Sequence, residues 1–236
     1  MILNQFDVDA AIVDLDGTMV DTLGDFVVAL NGMLAELPPP YRSHQVERAT
    51  VAGLVGKGSE HLLRSVLALA QGEQAGDLEL VYHQAWPSYQ RHYLAINGQH
   101  ATVYPGVVAG LQQLREHGLK LACLTNKPTS FALPLLKAKG LDGFFAFTFG
   151  GDAFERKKPD PLPLLKTCQA LGTSPQRTLM IGDSSNDAQA ARAALCPVLL
   201  VTYGYNHGAP IRSVDADAFV DSLDTLIQPE LAMGRF

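Results

Sequence analysis

The chain has 236 residues, of which 47% are hydrophobic and 18% are charged, a composition that suits one or two globular domains with a sizeable core. Its formal net charge is −6, and because no run of Lys and Arg could follow a nucleic-acid backbone, we expect no nucleic-acid partner. The sequence shows neither the basic start of a signal peptide nor the roughly 18 apolar residues of a membrane span, so we expect a cytoplasmic protein with no membrane partner.

The first predicted element is a strand over residues 8–15, which carries Asp14 near its end and is followed by Asp16 and Gly17. A short apolar run that ends at a glycine is typical of a parallel strand buried on both faces. Two carboxylates at the carboxyl end of such a strand lose hydration and need a metal, a donor or a proton. Open α/β sheets bind their ligands at that edge, so the two acids are candidates for a ligand site. The alternative is that they belong to an ordinary acidic turn, since Asp-Gly is a common turn pair.

The next segment, residues 20–97, is predicted to be all-helical. Its helices are expected over residues 21–37, 43–51, 60–70 and 77–95. Ser43 and Ser59 are the candidate N-caps of the second and third helices, and a glycine-rich loop at 53–58 separates these two. We expect this block to be an inserted subdomain with its hinges near Val20 and Asn97.

Strands and helices alternate after residue 98. Further strands are expected over residues 119–124, 144–149, 178–181, 198–201 and 218–220, and helices over 105–117, 129–138, 161–171 and 185–194, with Thr129 and Ser185 as N-caps. Such alternation predicts a parallel sheet covered on both faces. The predicted fold class is therefore α/β, with a Rossmann-like three-layer core (residues 1–19 and 98–236) and an inserted all-helical cap (residues 20–97).

Polar residues follow three of these strands. Thr125 and Asn126 follow the second strand, Asp183 follows the fourth, and Asp187 comes four residues later. Because the exits of parallel strands share one edge of the sheet, we expect these side chains to meet Asp14 and Asp16. Carboxylates gathered in this way repel one another unless a cation lies among them, and oxygen ligands favour Mg²⁺. For Asp187, a helix-capping role is an equal alternative.

Lys158 supplies an organic cation in a charged loop ahead of a helix. The following Pro159 favours an extended backbone at Lys158, which can direct the side chain away from the helix, although a solvated basic turn is the alternative. Carboxylates, Mg²⁺, a hydroxyl, an amide and a lysine together suit phosphoryl transfer. An Asp carboxylate is a competent nucleophile towards phosphorus, and a second acid two residues away can handle the proton of the leaving group.

Four stretches resemble, in their order and their placement at strand ends, the four motifs of the haloacid dehalogenase superfamily. They are Asp14-Leu15-Asp16-Gly17-Thr18, Thr125-Asn126, Lys158-Pro159 and Gly182-Asp183-Ser184-Ser185-Asn186-Asp187. The helical block at 20–97 is similar to the cap that many members insert after the first motif. The resemblance implies that Asp14 forms an aspartyl-phosphate and that Asp16 protonates the leaving alcohol and then activates water.

The same resemblance implies the ligands of the phosphoryl group and of the metal. The phosphoryl oxygens would be bound by Thr125, Asn126 and Lys158. The Mg²⁺ ion would be held by the carboxylates of Asp14 and Asp183 and the backbone carbonyl of Asp16, and supported by Asp187.

The motifs also reduce the number of reactions that the resemblance allows. Dehalogenases and phosphonatases of the superfamily lack an acid at the position of Asp16, so a phosphatase is expected, while a phosphomutase stays possible. Residues 54–58 and 202–208 are similar to stretches of phosphoglycolate phosphatases, which implies 2-phosphoglycolate as the substrate. Lys57 is a candidate for the substrate carboxylate, with an exposed loop lysine as the alternative.

Two alternative functions remain compatible with the sequence. They are another small-metabolite phosphatase and, from a different class, a catalytically silent protein that binds a phosphorylated ligand. The expected partner is a small phosphorylated metabolite, and the chain is expected to be a monomer or a homodimer.

Overall fold

The computed structural model describes residues 2–73 and 76–227 of the chain. Residues 1 and 228–236, which belong to the predicted core, and residues 74–75 of the predicted cap lie outside the described residues. The strands are β1 (Ala10–Val13), β2 (Val20–Asp21), β3 (Thr102–Val103), β4 (Lys120–Leu124), β5 (Phe147–Phe149), β6 (Thr178–Gly182), β7 (Val198–Val201) and β8 (Ala218–Val220). The α-helices are α1 (Leu23–Glu36), α2 (Arg48–Leu54), α3 (Ser59–Gln71), α4 (Leu78–Ile96), α5 (Val107–Glu116), α6 (Thr129–Ala138), α7 (Leu162–Leu171) and α8 (Ser185–Ala194).

Six strands form one parallel sheet in the order β5-β4-β1-β6-β7-β8. The first strand lies inside the sheet, between β4 and β6. All four of its residues are apolar, which suits a position covered on both faces, and all four are completely buried. It pairs with β4 on one side, where Ala10 faces Lys120, and with β6 on the other, where Ala10 faces Thr178. The carboxyl ends of these three strands therefore lie next to one another.

Side chains of the central strands alternate between two hydrophobic clusters. Ala11 and Val13 pack on one face with residues of α5 and α6, and Ala10 and Ile12 pack on the other with residues of α7 and α8. This period of two follows from the pleat of a strand, which sends successive side chains to opposite faces. The predicted three-layer α/β core is confirmed.

Helices α1 to α4 share a third hydrophobic cluster, which is rich in aromatic side chains and includes the rings of Phe26, Tyr89 and Tyr93. Phe131 of α6 joins this cluster, and its ring centroid lies 4.6 Å from that of Tyr93. Helices α1 to α4 therefore pack mainly on one another, and Phe131 is one of the side chains that join them to the rest of the chain. The division into a core and a cap over residues 20–97 stays a prediction. No helix within the described residues is long and apolar enough to cross a membrane.

The predicted start of the second helix was wrong. Ser43 ends a short 3₁₀ turn, and α2 begins only at Arg48. The intervening chain is held by Asn31 of α1, whose side chain donates to the carbonyl of Val46 and accepts from its N–H. A side chain that satisfies both backbone groups of a residue removes the need for a helical hydrogen bond there.

The three other predicted capping residues are shifted by one position. Ser59, Thr129 and Ser185 are the first residues of their helices, and none of them is the capping residue. Sequence patterns also did not indicate the two-stranded antiparallel ribbon formed by β2 and β3, in which Val20 pairs with Val103. This ribbon lies where the chain leaves the sheet for the cap helices and where it returns.

Candidate active site

The sheet edge gathers polar side chains from the three central strands. Asp14 directly follows β1, Thr125 follows β4 and Asp183 follows β6, and all three side chains are buried. Asp187, in the first turn of α8, is also buried beside them. The expected convergence at the carboxyl end of the sheet is therefore present in the structure.

Asp14, Asp183 and Asp187 form a buried acidic cluster in which one carboxylate oxygen of each residue lies within 4.8 Å of the others. Burial is the main effect that raises the pKa of Asp14 to about 7, and the negative charge of Asp187 acts in the same direction against the attraction of Lys158. The pKa of Asp183 is also raised, by burial and then by Asp187 and Asp14. Protons or a cation must offset this concentration of negative charge.

The cluster fits a divalent cation. Asp14 Oδ1 is buried without an aligned hydrogen bond, although it lies 2.9 Å from Lys158 Nζ. Hard carboxylate oxygens are the ligand type that Mg²⁺ prefers, and it takes one or two of them beside its waters. Asp183 presents its two oxygens to the Thr18 hydroxyl and to the backbone N–H of Tyr205.

Lys158 is buried at the centre of the site, so the solvated-turn alternative does not describe it. Its Nζ lies 2.7 Å from Asp187 Oδ1 and 2.9 Å from Asp14 Oδ1, and it donates to the carbonyl of Leu124 at 2.9 Å. Burial alone would lower the pKa of this ammonium, but the two carboxylates outweigh it and raise the pKa. Lys158 therefore carries its positive charge within reach of Asp14.

Asp187 caps α8 and also contacts Lys158. It occupies the third position of α8 and forms a capping box with Ser184, which is the actual N-cap in place of the predicted Ser185. Its Oδ2 accepts from the Ser184 hydroxyl and from the N–H groups of Asp183 and Ser184, while Oδ1 binds Lys158. Because both oxygens have partners within the protein, Asp187 suits a supporting place beside the metal.

The side chain of Asp16 lies apart from the acidic cluster. Thr22 donates to its Oδ1 at 2.7 Å, and Lys127 Nζ lies 2.8 Å and 3.1 Å from its two oxygens. Lys127 is a site residue that the sequence analysis missed. It directly follows Thr125-Asn126 in the chain, which is a signal of proximity, but nothing in the sequence shows where its side chain points.

Asn126 joins the cap loop to the core. Its amide nitrogen donates to the carbonyls of Gly56 and Lys158, and its oxygen accepts from the N–H of Lys158. Asn186 donates to the same carbonyl of Gly56 at 3.1 Å. The predicted phosphoryl ligand Asn126 thus also fixes the loop that carries Lys158.

A narrow cavity lies above the sheet edge and beneath the cap. It is lined by Asp14, Asp16, Phe26, Val55, Gly56, Gly58, Ser59, Leu62, Thr125, Asn126 and Lys127. Core motifs and cap residues thus meet around one space. Lys57 is exposed and does not line this cavity, although both of its neighbours in the loop do.

Comparison with known proteins agrees with this site. Residues 8–194 match the family model of the haloacid dehalogenase-like hydrolases. Phosphoglycolate phosphatases of Thiobacillus denitrificans and Cupriavidus necator are each 43% identical to this chain over 217 residues. Each alignment covers 92% of this chain, together with 92% of the Thiobacillus protein and 90% of the Cupriavidus protein. The crystal structure of a predicted phosphoglycolate phosphatase from Haemophilus somnus 129PT superimposes with a TM-score of 0.84 at 30% identity, covering 93% of this chain and 96% of that one.

The chain belongs to the haloacid dehalogenase-like hydrolase family. Its site and its relatives confirm the predicted class of enzyme, a phosphoric monoester hydrolase.

Proposed function

We propose that this protein is a Mg²⁺-dependent phosphatase that hydrolyses 2-phosphoglycolate to glycolate and phosphate. The observation that carries the proposal is the buried acidic cluster of Asp14, Asp183 and Asp187, with Lys158 in contact with two of its members. A buried nucleophilic carboxylate beside a fixed ammonium group suits attack on a phosphate that brings its own negative charge.

The proposed reaction uses two carboxylates in turn. Asp14 attacks phosphorus, the ester P–O bond breaks, and Asp16 gives a proton to the leaving oxygen. Asp16 then removes a proton from water, which attacks phosphorus of the aspartyl-phosphate and releases inorganic phosphate and free Asp14. Lys158 stays beside Asp14 and stabilises the charge that develops on the phosphoryl oxygens, and Thr125 and Asn126 are the proposed further ligands of these oxygens.

The proposed metal site consists of the carboxylates of Asp14 and Asp183 and the backbone carbonyl of Asp16, with Asp187 in support. A bound Mg²⁺ would supply positive charge that offsets the repulsion between these carboxylates and the phosphate. Lys158, which contacts Asp14 and Asp187, would supply a second positive charge to the phosphoryl group.

The substrate is inferred from the relatives, whose names specify phosphoglycolate, and from the small size of the cavity. A cap that contributes Val55, Gly56, Gly58 and Ser59 to the lining leaves room for a short leaving group. We propose a small phosphorylated metabolite as the ligand on these two grounds.

The test is a panel of phosphorylated metabolites assayed for phosphate release with Mg²⁺ and ranked by kcat/KM. We expect 2-phosphoglycolate at or near the top, loss of activity on chelation of the metal, and no turnover by Asp14→Asn. Circular dichroism and the melting temperature of Asp14→Asn verify that it is folded. Normal turnover by Asp14→Asn would refute the mechanism, and a low rank for 2-phosphoglycolate would refute the substrate alone.

A further inference from the structure

Lys127 is a buried cation that has no role in the reaction proposed above. Its side chain is only 1% exposed, and it lies beneath the cap between Asp16 and two aromatic rings. The Nζ atom is 4.3 Å from the ring centroid of Phe26 on α1 and 4.8 Å from that of Tyr93 on α4. An ammonium group removed from water in this way needs strong partners.

The lining of the cavity offers one positively charged side chain to an anionic ligand. Its lining residues include two acids, Asp14 and Asp16, and a single cation, Lys127. Among the described residues, Asp16 is the only carboxylate that forms an ion pair with Lys127. Lys158 lies behind Asp14, outside the lining, and is occupied by Asp14, Asp187 and a carbonyl. Any second anionic group that enters this cavity therefore has Lys127 as its available cation.

We propose that Lys127 binds the carboxylate of the leaving group and so selects substrates with an anion next to the phosphate ester. This inference rests on the proposed function, in which Asp16 contacts the leaving oxygen. In 2-phosphoglycolate one methylene separates that oxygen from the carboxyl carbon. Because Lys127 Nζ lies 2.8 Å from Asp16, a leaving oxygen held at Asp16 brings the carboxylate of the substrate within reach of Lys127.

The position of Lys127 makes it a stronger candidate for this role than Lys57, which the sequence analysis favoured. Lys57 is exposed on the cap loop, where water screens its charge. The side chain of Lys127 is almost completely buried, and a charge-assisted hydrogen bond gains strength where water is excluded from the charged group. Its contacts with Phe26 and Tyr93 hold the ammonium group at one place in the cavity.

The experiment measures kcat/KM for 2-phosphoglycolate and for ethyl phosphate, which has the same ester without the carboxylate. Removal of Lys127 also leaves Asp16 unpaired and can slow both substrates, so the ratio of the two kcat/KM values is the readout. For Lys127→Met we expect this ratio to fall about 10- to 100-fold, the range that one charge-assisted hydrogen bond supports, mainly because the carboxylated substrate binds more weakly and its KM rises. Lys127→Arg, which keeps the charge, should restore much of the ratio.

Lys57→Met and Lys157→Met are the controls, since Lys57 is exposed and Lys157, which pairs with Glu60, is only partly buried, and neither lysine lines the cavity. The proposal is overturned if Lys127→Met, or Lys127→Gln should the first variant fail to fold, keeps the wild-type ratio. It is also overturned if Lys57→Met lowers the ratio instead. Phosphate release from 2-phosphoglycolate by the wild-type enzyme with Mg²⁺ separates the two hypotheses, because its absence would refute the proposed phosphatase rather than the role of Lys127.

Discussion

Two acids that are two residues apart in the chain have different surroundings in the structure. Asp14 is buried beside Lys158 and two other carboxylates, and its pKa is raised to about 7. Asp16 is turned towards the cap, where Thr22 and Lys127 bind its oxygens. These positions suit the proposed division of labour, with Asp14 beside Lys158 as the nucleophile and Asp16 beneath the cap as the acid and base.

Asp16→Asn should separate the two halves of the proposed reaction. With p-nitrophenyl phosphate, whose leaving group needs little help from an acid, we expect a rapid burst of nitrophenolate stoichiometric with enzyme, followed by slow turnover. Steady-state kcat should fall by about 10²- to 10⁴-fold, the usual contribution of a general acid or base. Stopped-flow absorbance measures the burst.

Asp14→Asn is the control for this experiment, because it lacks the nucleophile and should show no burst at all. An Asp16→Asn enzyme that turns over at the wild-type rate would contradict the role of Asp16 in both steps.

At the residue scale, sequence reasoning identified the groups that directly follow strands and missed those that arrive from elsewhere. Asp14, Thr125 and Asp183 were expected to meet because the edge of a parallel sheet determines where strand ends lie. The backbone N–H of Tyr205, which binds Asp183, and Lys127 reach the site through loop and side-chain geometry that no short-range pattern encodes. Gly17, with a φ of +86°, lies so close to the Asp183 carboxylate that a side chain there would collide with it.

At the scale of elements, one buried carboxylate joins the two ends of the predicted cap. Asp25 of α1 is fully buried and accepts hydrogen bonds from the N–H groups of Gly98 and His100, both at 2.7 Å. Lys139, which directly follows α6, donates to the carbonyl of Gly98 at 2.6 Å, and so ties the same segment to the core. We propose that this clamp orients the cap relative to the core. The sequence shows Asp25 only as an acid in the first turn of a helix.

Asp25→Ala should therefore destabilise the protein by about 2–4 kcal/mol, because it leaves the buried N–H of Gly98 and the partly buried N–H of His100 without an acceptor. Asp25→Asn retains one acceptor oxygen and should cost roughly half as much. Urea denaturation followed by circular dichroism measures both values.

Asp77→Ala provides the comparison for the clamp. Asp77 is the N-cap of α4 and accepts from Glu79 and Leu80 at an exposed position, so its removal should cost about 1 kcal/mol. If Asp25→Ala and Asp77→Ala lower the free energy of unfolding equally, the buried clamp contributes no more to stability than an exposed helix cap.

At the scale of the whole molecule, the site works against the stability of the metal-free fold. An ordinary Asp ionises near pH 4 in the unfolded chain, whereas the folded-state pKa of Asp14 is about 7. Between about pH 4 and pH 7, Asp14 therefore takes up a proton when the chain folds. The stability that this proton contributes is fully present below about pH 4 and is lost as the pH rises through 7. A bound cation would remove this penalty, because it stabilises the ionised form.

Addition of Mg²⁺ should accordingly raise the melting temperature, and more so at about pH 8 than at about pH 5.5, where protons compete with the metal. At a metal concentration about 100-fold above Kd, the gain of about 2.7 kcal/mol corresponds to roughly 5–10 °C for a chain of this size. Differential scanning fluorimetry in the presence of Mg²⁺ or a chelator gives the shift at each pH.

Asp183→Asn should abolish this response to Mg²⁺ while the variant stays folded. A shift of the same size at both pH values, or one that survives in Asp183→Asn, would contradict metal binding at the acidic cluster.

The sequence by itself determined the parallel α/β core, the family and the acids at the strand ends. These features depend on local periodicity and on short motifs, and the edge of a parallel sheet turns them into neighbours whatever the details of packing. Only the tertiary structure decided which lysine faces the cavity, how Asp16 is oriented and where Asp25 binds. Those outcomes depend on contacts between residues far apart in the chain, such as Lys127 with Asp16 or Asp25 with Gly98, whose geometry is set by the packing of the helices as a whole.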